Sequence, residues 1–218
     1  MNAELLFIYD SHCPWSYAAT KLINEIAEHY PEMKIHFWHN AVFSSAEYGH
    51  DNTLDKQQIN AVSETSNVIF SAEYQAKFFP NEKNANQAPN PIDSTLAANL
   101  LAWTNHKATH KTLDLLNALQ QAHFEEGNAL TTIDDVQYII DELKLSPPAK
   151  VLTSAKLAKE VEFDLHEIFE IQEIIETKAI PALLLAHDDN LTLLNHNYYL
   201  SEPAAIVEAI ALELKNSK

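Results

Sequence analysis

Residues 5–20 read LLFIYDSHCPWSYAAT. Leu5 to Tyr9 is a short apolar run of strand formers, broken by Asp10, Ser11 and His12. After Cys13, Pro14, Trp15 and Ser16, apolar residues recur at helical spacing through Ala19, Ile23, Ile26 and Tyr30. Pro14 suits a first helical turn, where its missing N–H has no partner to lose. The stretch therefore predicts a strand over 5–9, a turn, and a helix over about 14–30 that Pro31 ends. Cys13 stands at or just before the helix N-terminus. Free N–H groups and partial positive charge gather there, and both favour a thiolate. Thiolate is the reactive form of cysteine, so this placement implies a pKa below the ordinary ~8.5. A lone cysteine is otherwise an inert small hydrophobe. The strand-Cys-Pro-Trp-helix setting is what singles Cys13 out.

Working outward, Lys34 to Trp38 alternates, with Ile35 and Phe37 on one face and His36 and Trp38 on the other. This second strand completes a β-α-β unit, expected to be parallel with a right-handed crossover. Residues 39–53 read as a loop, expected to lie at the active-site end. Residues 54–79 read as one helix with Ile59, Val62, Ile69 and Tyr74 among its apolar positions, and Pro80 to Pro91 as a polar surface loop. Helices follow over Asp93 to about His106, over about 109–126 closed by Gly127, from a Thr132/Asp135 capping box to Leu143, from Pro147 and Pro148, and from Glu160 to about Lys178. Ile180 to Ala186 and Leu191 to Leu194 then read as strands joined by a turn at Asp188, Asp189 and Asn190. Ser201 is the expected N-cap of a last helix, about 202–215, with Ile206, Ile210 and Leu214 on one face.

Cys-Pro-Trp opening the first helix resembles the DsbA branch of the thioredoxin-like superfamily, in particular its cytosolic FrnE-like members. Their active site is usually Cys-x-x-Cys; here the fourth position is Ser16, which makes a monothiol Cys-Pro-Trp-Ser variant. The resemblance implies an α/β thioredoxin-like fold with a large all-helical insertion. Residues 1–53 and 179–218 would form the core, about 160–178 a bridging helix, and 54–159 the insertion. It also implies a cis-proline before the third core strand, facing Cys13, and Ile180–Pro181 occupies that place. The bend would free the backbone of Ile180 to pair with an extended peptide; a proline that merely starts a strand is the plain alternative. Two further departures from the family pattern stand beside Ser16. Thr177, Lys178 and Ala179 replace its usual Gly before that proline, and Asn195 to Asn197 its Gly after the last strand.

Composition narrows the function. The chain has 218 residues, 46% of them hydrophobic, with no apolar run near the ~18 residues that span a bilayer. No basic leader and cleavage site precede the first strand, so a signal peptide is not expected. One Cys excludes an internal disulfide and suits a reducing, cytoplasmic compartment. The net charge is −17, and all 14 basic residues are Lys. This disfavours nucleic acid and anionic membranes, and removes the bidentate clamp for carboxylates and phosphates. Two Gly, Gly49 and Gly127, cannot make a glycine-rich phosphate loop. His106 and His110 lie one helical turn apart, but no Glu or Cys completes a set, so no metal is expected.

The candidate catalytic residues are Cys13 and Ser16. Candidate substrate-binding residues are His12, Pro14, Trp15, Ile180 and Pro181. His12 either stabilises the thiolate when protonated or is a solvated turn residue; Trp15 either shapes a peptide groove or packs on the core. The expected activity is that of a thiol-disulfide oxidoreductase or isomerase without a tightly bound cofactor. Its partners would be protein or peptide disulfides, with glutathione as a co-substrate that resolves the mixed disulfide, and the chain would be a monomer or homodimer. Two alternatives remain. One is a small-molecule enzyme like the kappa-class glutathione transferases and chromene-carboxylate isomerases, whose motif usually has Ser where Cys13 stands. The other is a non-catalytic thioredoxin-like peptide-binding module.

Overall fold

The computed structural model describes residues 3–44, 54, 56–79 and 92–216. The expected polar loop at 80–91, and residues 45–53 of the loop after the second strand, lie outside them. β1 (Ala3–Tyr9), α1 (Pro14–His29) and β2 (Lys34–His39) form the first unit, with β1 and β2 parallel from Glu4↔Lys34 to Tyr9↔His39. Helices α2 (Lys56–Ser66), α3 (Ala72–Phe78), α4 (Thr95–Lys107), α5 (Thr112–Phe124), α6 (Ile133–Glu142), α7 (Ala149–Thr153) and α8 (Lys159–Ile174) follow. β3 (Ala182–His187), β4 (Asn190–Leu194) and α9 (Ile206–Asn216) close the chain. The sheet order is β2-β1-β3-β4, with β3 antiparallel to both of its neighbours.

β1 is central and covered on both faces, which is why its apolar run is nearly unbroken. Leu5, Phe7 and Tyr9 join Phe37, Leu183 and Leu185 in the main core, with Ala19, Leu22 and Ile23 of α1 and Ile206 and Ile210 of α9. Leu6, Ile8, Ala182 and Leu184 face the other way, onto Ile168, Leu165 and Ile171 of α8. At about 25 cal/mol per Å² of apolar surface, burying one such side chain stabilises the fold by roughly 1.5–3 kcal/mol. The alternation read in β2 holds: Ile35 and Phe37 pack on the first cluster and Trp38 on the second. The capping box holds too, since the Asp135 carboxylate accepts the N–H groups of Thr131 and Thr132.

Three helix boundaries differ from expectation. Residues 54–79 form two helices, not one. Asn67 adopts a left-handed φ of 56° and ends α2, and the Ser71 hydroxyl caps α3 by accepting the Tyr74 N–H at 3.0 Å. Ile69, expected on an apolar face, lies between them and is 81% exposed. The helix expected to reach Lys178 stops at Ile174, because Glu176 turns to a φ of 54° and the Thr177 N–H folds back to the Gln172 carbonyl. Ser201 does not cap the last helix. A 3₁₀ turn at Pro203–Ala205, which the proline can open, intervenes, and α9 begins at Ile206.

Candidate functional site

Cys13 is the N-cap of α1, with extended backbone (φ −81°, ψ 121°), and Pro14 is the first helical residue. A turn closed by the Cys13 N–H on the Asp10 carbonyl (3.0 Å) delivers it there, and its own carbonyl accepts the first helical bond, from the Tyr17 N–H (2.9 Å). The N–H groups of Trp15 and Ser16 and the Ser16 hydroxyl all favour the thiolate, as the helix start requires. The expected low pKa is nevertheless overturned: burial pushes the Cys13 thiol up, and the Asp10 charge adds to the rise. The thiol is only 7% exposed, so loss of hydration outweighs the helix end. Ser16 is fully buried, and its hydroxyl also accepts the Asp10 N–H at 3.3 Å.

Beneath the thiol lies a polar network that the sequence did not signal. The buried Asp10 carboxylate accepts the N–H of His12 (2.9 Å), the N–H of Phe43 (3.1 Å) and the hydroxyl of Ser94 (2.9 Å). It thereby ties the turn before Cys13 to the β2 exit and to the start of α4. His39 is buried beside it, 3.7 Å from the carboxylate. The Ser11 and Ala41 N–H groups, each at 3.0 Å, face its two ring nitrogens. A neutral ring can accept from only one of them and a protonated ring from neither; burial lowers the His39 pKa, although Asp10 draws it up.

His12 is neither a solvated turn residue nor a cation. It points inward, fully buried, with Nδ1 3.0 Å from the Ser11 hydroxyl and its ring 4.1 Å from that of His123. Burial lowers its pKa to about 4 against the pull of Asp10, so it is neutral at pH 7 and cannot lend a positive charge to the thiolate. His123 donates from Nδ1 to the Asn128 carbonyl (2.8 Å), and its pKa is held far below the usual range by burial and then by His12.

Of the other expected residues, Pro14 is buried, and Trp15 is half-buried against the main core. The Ile180–Pro181 peptide bond is cis. The pairing Ile8↔Ala182 sets these two residues beside the C-terminal end of β1, where the chain turns toward Cys13. On the α8 face a groove of about 390 Å³ runs along Ala41, Val42, Leu165, Ile168 and Phe169. Ile180 packs in the same cluster as Ile168. The structure keeps Cys13, Pro14, Trp15 and Ser16 on one turn at the start of α1 and sets the cis Ile180–Pro181 bond directly before β3; Asp10, His39, Ser94 and His123 were not singled out from the sequence. One signal was available: the β2 alternation that turns Ile35 and Phe37 inward also turns His39 inward.

No family profile matches the sequence, and no curated protein matches it. Solved structures do. The chain aligns with a cytosolic disulfide reductase, DsbM, from Pseudomonas aeruginosa at a TM-score of 0.77 and 15% identity, covering 97% of this chain and 98% of that one. The same protein with GSH aligns at 0.76 and 14% identity, covering 97% and 99%. A 2-hydroxychromene-2-carboxylate isomerase aligns at 0.60 and 15% identity, covering 98% and 96%. The chain has a DsbA-like thioredoxin fold. Its strand order, its helical insertion between β2 and β3, and Cys13 at the start of α1 all suit that fold. Among the described residues no helix is long and apolar enough to cross a membrane.

Proposed function

We propose that the protein is a monothiol thiol-disulfide oxidoreductase or isomerase of the cytoplasm. Cys13 is its nucleophile, and Ser16 is a hydrogen-bond donor to the sulfur. The supporting observation is the convergence of the Trp15 N–H, the Ser16 N–H and the Ser16 hydroxyl on the Cys13 thiol. The Cys13 thiolate attacks one sulfur of a protein or peptide disulfide. A new S–S bond forms to Cys13, and the other sulfur leaves as a thiolate that takes a proton from water. No second cysteine exists to resolve this mixed disulfide. A glutathione thiolate therefore attacks it and frees Cys13, or a second thiol of the substrate does so and isomerises it. Pro14, Trp15, Ile180 and Pro181 border the substrate. The groove along α8 takes the chain flanking its disulfide. His12 supports this frame from within.

The raised Cys13 pKa favours a second reading. A thiol that stays protonated can donate to the thiolate of bound glutathione, as the motif Ser would in the chromene-carboxylate isomerase alternative. Intact mass spectrometry after incubation with oxidised glutathione separates the two. The redox reading requires one glutathionyl adduct, absent in Cys13→Ala and released by reduced glutathione. No adduct, together with binding of reduced glutathione as its thiolate, would establish the second reading instead.

A further inference from the structure

A second cleft, of about 420 Å³, opens where α1, the α2–α3 connection and the end of α5 meet, lined by Tyr17, Lys21, Asn67, Ile69, Ser71 and Glu125. The chemistry proposed above uses none of these residues. Lys21 is half-buried, yet its ammonium makes no hydrogen bond or ion pair among the described residues. Glu125 lines the same cleft without pairing with it. One Glu125 oxygen accepts the Tyr17 hydroxyl at 2.7 Å, which fixes the carboxylate and leaves its other oxygen to accept elsewhere. Ile69 is an apolar wall, 81% exposed between the buried Val68 and Phe70. The walls are pinned. Asn67 holds its left-handed φ of 56°, the Ser71 N–H binds the Phe124 carbonyl (3.1 Å), and the Tyr17 ring stacks on that of Phe124 with centroids 4.6 Å apart.

We propose that this cleft binds an α-amino acid head group, with the ligand's ammonium on Glu125 and its carboxylate on Lys21. Two opposite charges that line one concavity without meeting suit a ligand that carries both, held by two charge-assisted hydrogen bonds. Ser71 adds to the carboxylate side. Its oxygen accepts the Tyr74 N–H (3.0 Å), and its proton has no acceptor among the described residues. Tyr17 stays a neutral donor to Glu125, because burial and then that bond raise the phenol's pKa. The carbon chain of the ligand lies along Ile69. Cys13, Tyr17 and Lys21 recur at every fourth residue, and the Tyr17 N–H binds the Cys13 carbonyl (2.9 Å). At ~1.5 Å of rise per residue the cleft runs from about 6 Å to about 12 Å along α1 from the cysteine. Three extended residues span roughly 10 Å. The γ-glutamyl end of a glutathione held at Cys13 is therefore one source of the head group, and a free amino acid is the other. The first source rests on the proposed function; the second does not.

Isothermal titration with S-methylglutathione and with L-glutamate tests this. Neither ligand can form a disulfide, so the redox chemistry of Cys13 does not enter. Lys21→Gln and Glu125→Gln each remove one charge and keep the shape, and each should weaken binding about tenfold or more. A second arm uses the wild-type chain and needs no variant to fold. N-acetyl-L-glutamate lacks the ammonium and S-methylcysteinylglycine lacks the head group, and both should bind about tenfold or more weakly than their parents. Binding of S-methylglutathione without L-glutamate supports the γ-glutamyl source; binding of both supports a free amino acid. Binding of neither, or an affinity that either substitution leaves unchanged, overturns the proposal. Absence of a glutathionyl adduct on Cys13 would sink the disulfide chemistry while leaving these titrations readable.

Discussion

Replacing Asp10 by Asn should weaken the fold and sharpen the thiol at once. The carboxylate accepts three buried hydrogen bonds, from the His12 N–H, the Phe43 N–H and the Ser94 hydroxyl. An amide of the same shape has one acceptor oxygen and one NH₂ group. If the oxygen keeps the His12 N–H, the NH₂ faces Phe43 and Ser94. The Ser94 hydroxyl can rotate and accept, but the Phe43 N–H loses its bond to this side chain. If the amide flips, the His12 N–H is orphaned instead. An orphaned buried donor costs about 1–3 kcal/mol, and the bonds that remain lose the reinforcement of the charge. Relief from burying a carboxylate offsets part of this. The expected net loss is about 2 kcal/mol, read as a lower urea midpoint at constant m. The second readout has the opposite sense: the charge that raises the Cys13 pKa is gone, so the alkylation-pH profile should shift down. Unchanged stability, or a thiol pKa that rises, would refute the account of Asp10 as a hub charged against the thiol.

Other outcomes follow from the same geometry. Ser16→Cys puts a second thiol one turn along α1 from Cys13, and under mild oxidation both thiols should disappear from a thiol titration as an internal disulfide forms; two persistently free thiols would contradict the helix-start placement. Asp164 is buried beside His106 (3.3 Å), and burial pushes its carboxyl up to about 6 against the pull of His106. The folded state then holds a proton that the unfolded chain releases near pH 4, so unfolding free energy should fall as pH rises from about 4 to about 6 and level off above. Asp164→Asn should flatten that slope, and a slope that survives it would have another source. Gly127→Ala forces a Cβ onto a φ of 68° and against the Glu73 backbone, and should cost about 1–3 kcal/mol in urea unfolding.

The order of strands and helices could be read from the sequence because each core element signals its own period. β1 is an apolar run, β2 alternates, and α1 and α9 carry stripes of Ile and Leu. The break between α2 and α3 escaped because Asn67 ends a helix by adopting a conformation that composition does not reveal. The placement of Cys13 and Ser16 at a helix start, and of Ile180–Pro181 before β3, was legible because local chemistry and chain order fix it. The thiol's acidity was not. It depends on how completely tertiary packing excludes water from Cys13, and that is settled by the folded chain as a whole. The Asp10 and His12 side chains escaped for the same reason, since a polar residue in a turn reads as solvated until tertiary packing closes over it.

The central place of β1 also bears on how the protein is made. β1 leaves the ribosome well before one of its two neighbours, β3, because the helical insertion lies between them. Until β3 emerges, the strand can pair only with β2, and until α8 emerges nothing of that helix covers the face carrying Leu6 and Ile8. The entire helical insertion is synthesised during that wait. A nascent chain therefore carries an apolar edge, ready to pair with any other strand it meets, throughout that interval. Stalled or truncated products should accordingly aggregate or be held by chaperones. A chain extended past β3, with its sheet closed on both sides of β1, should escape them.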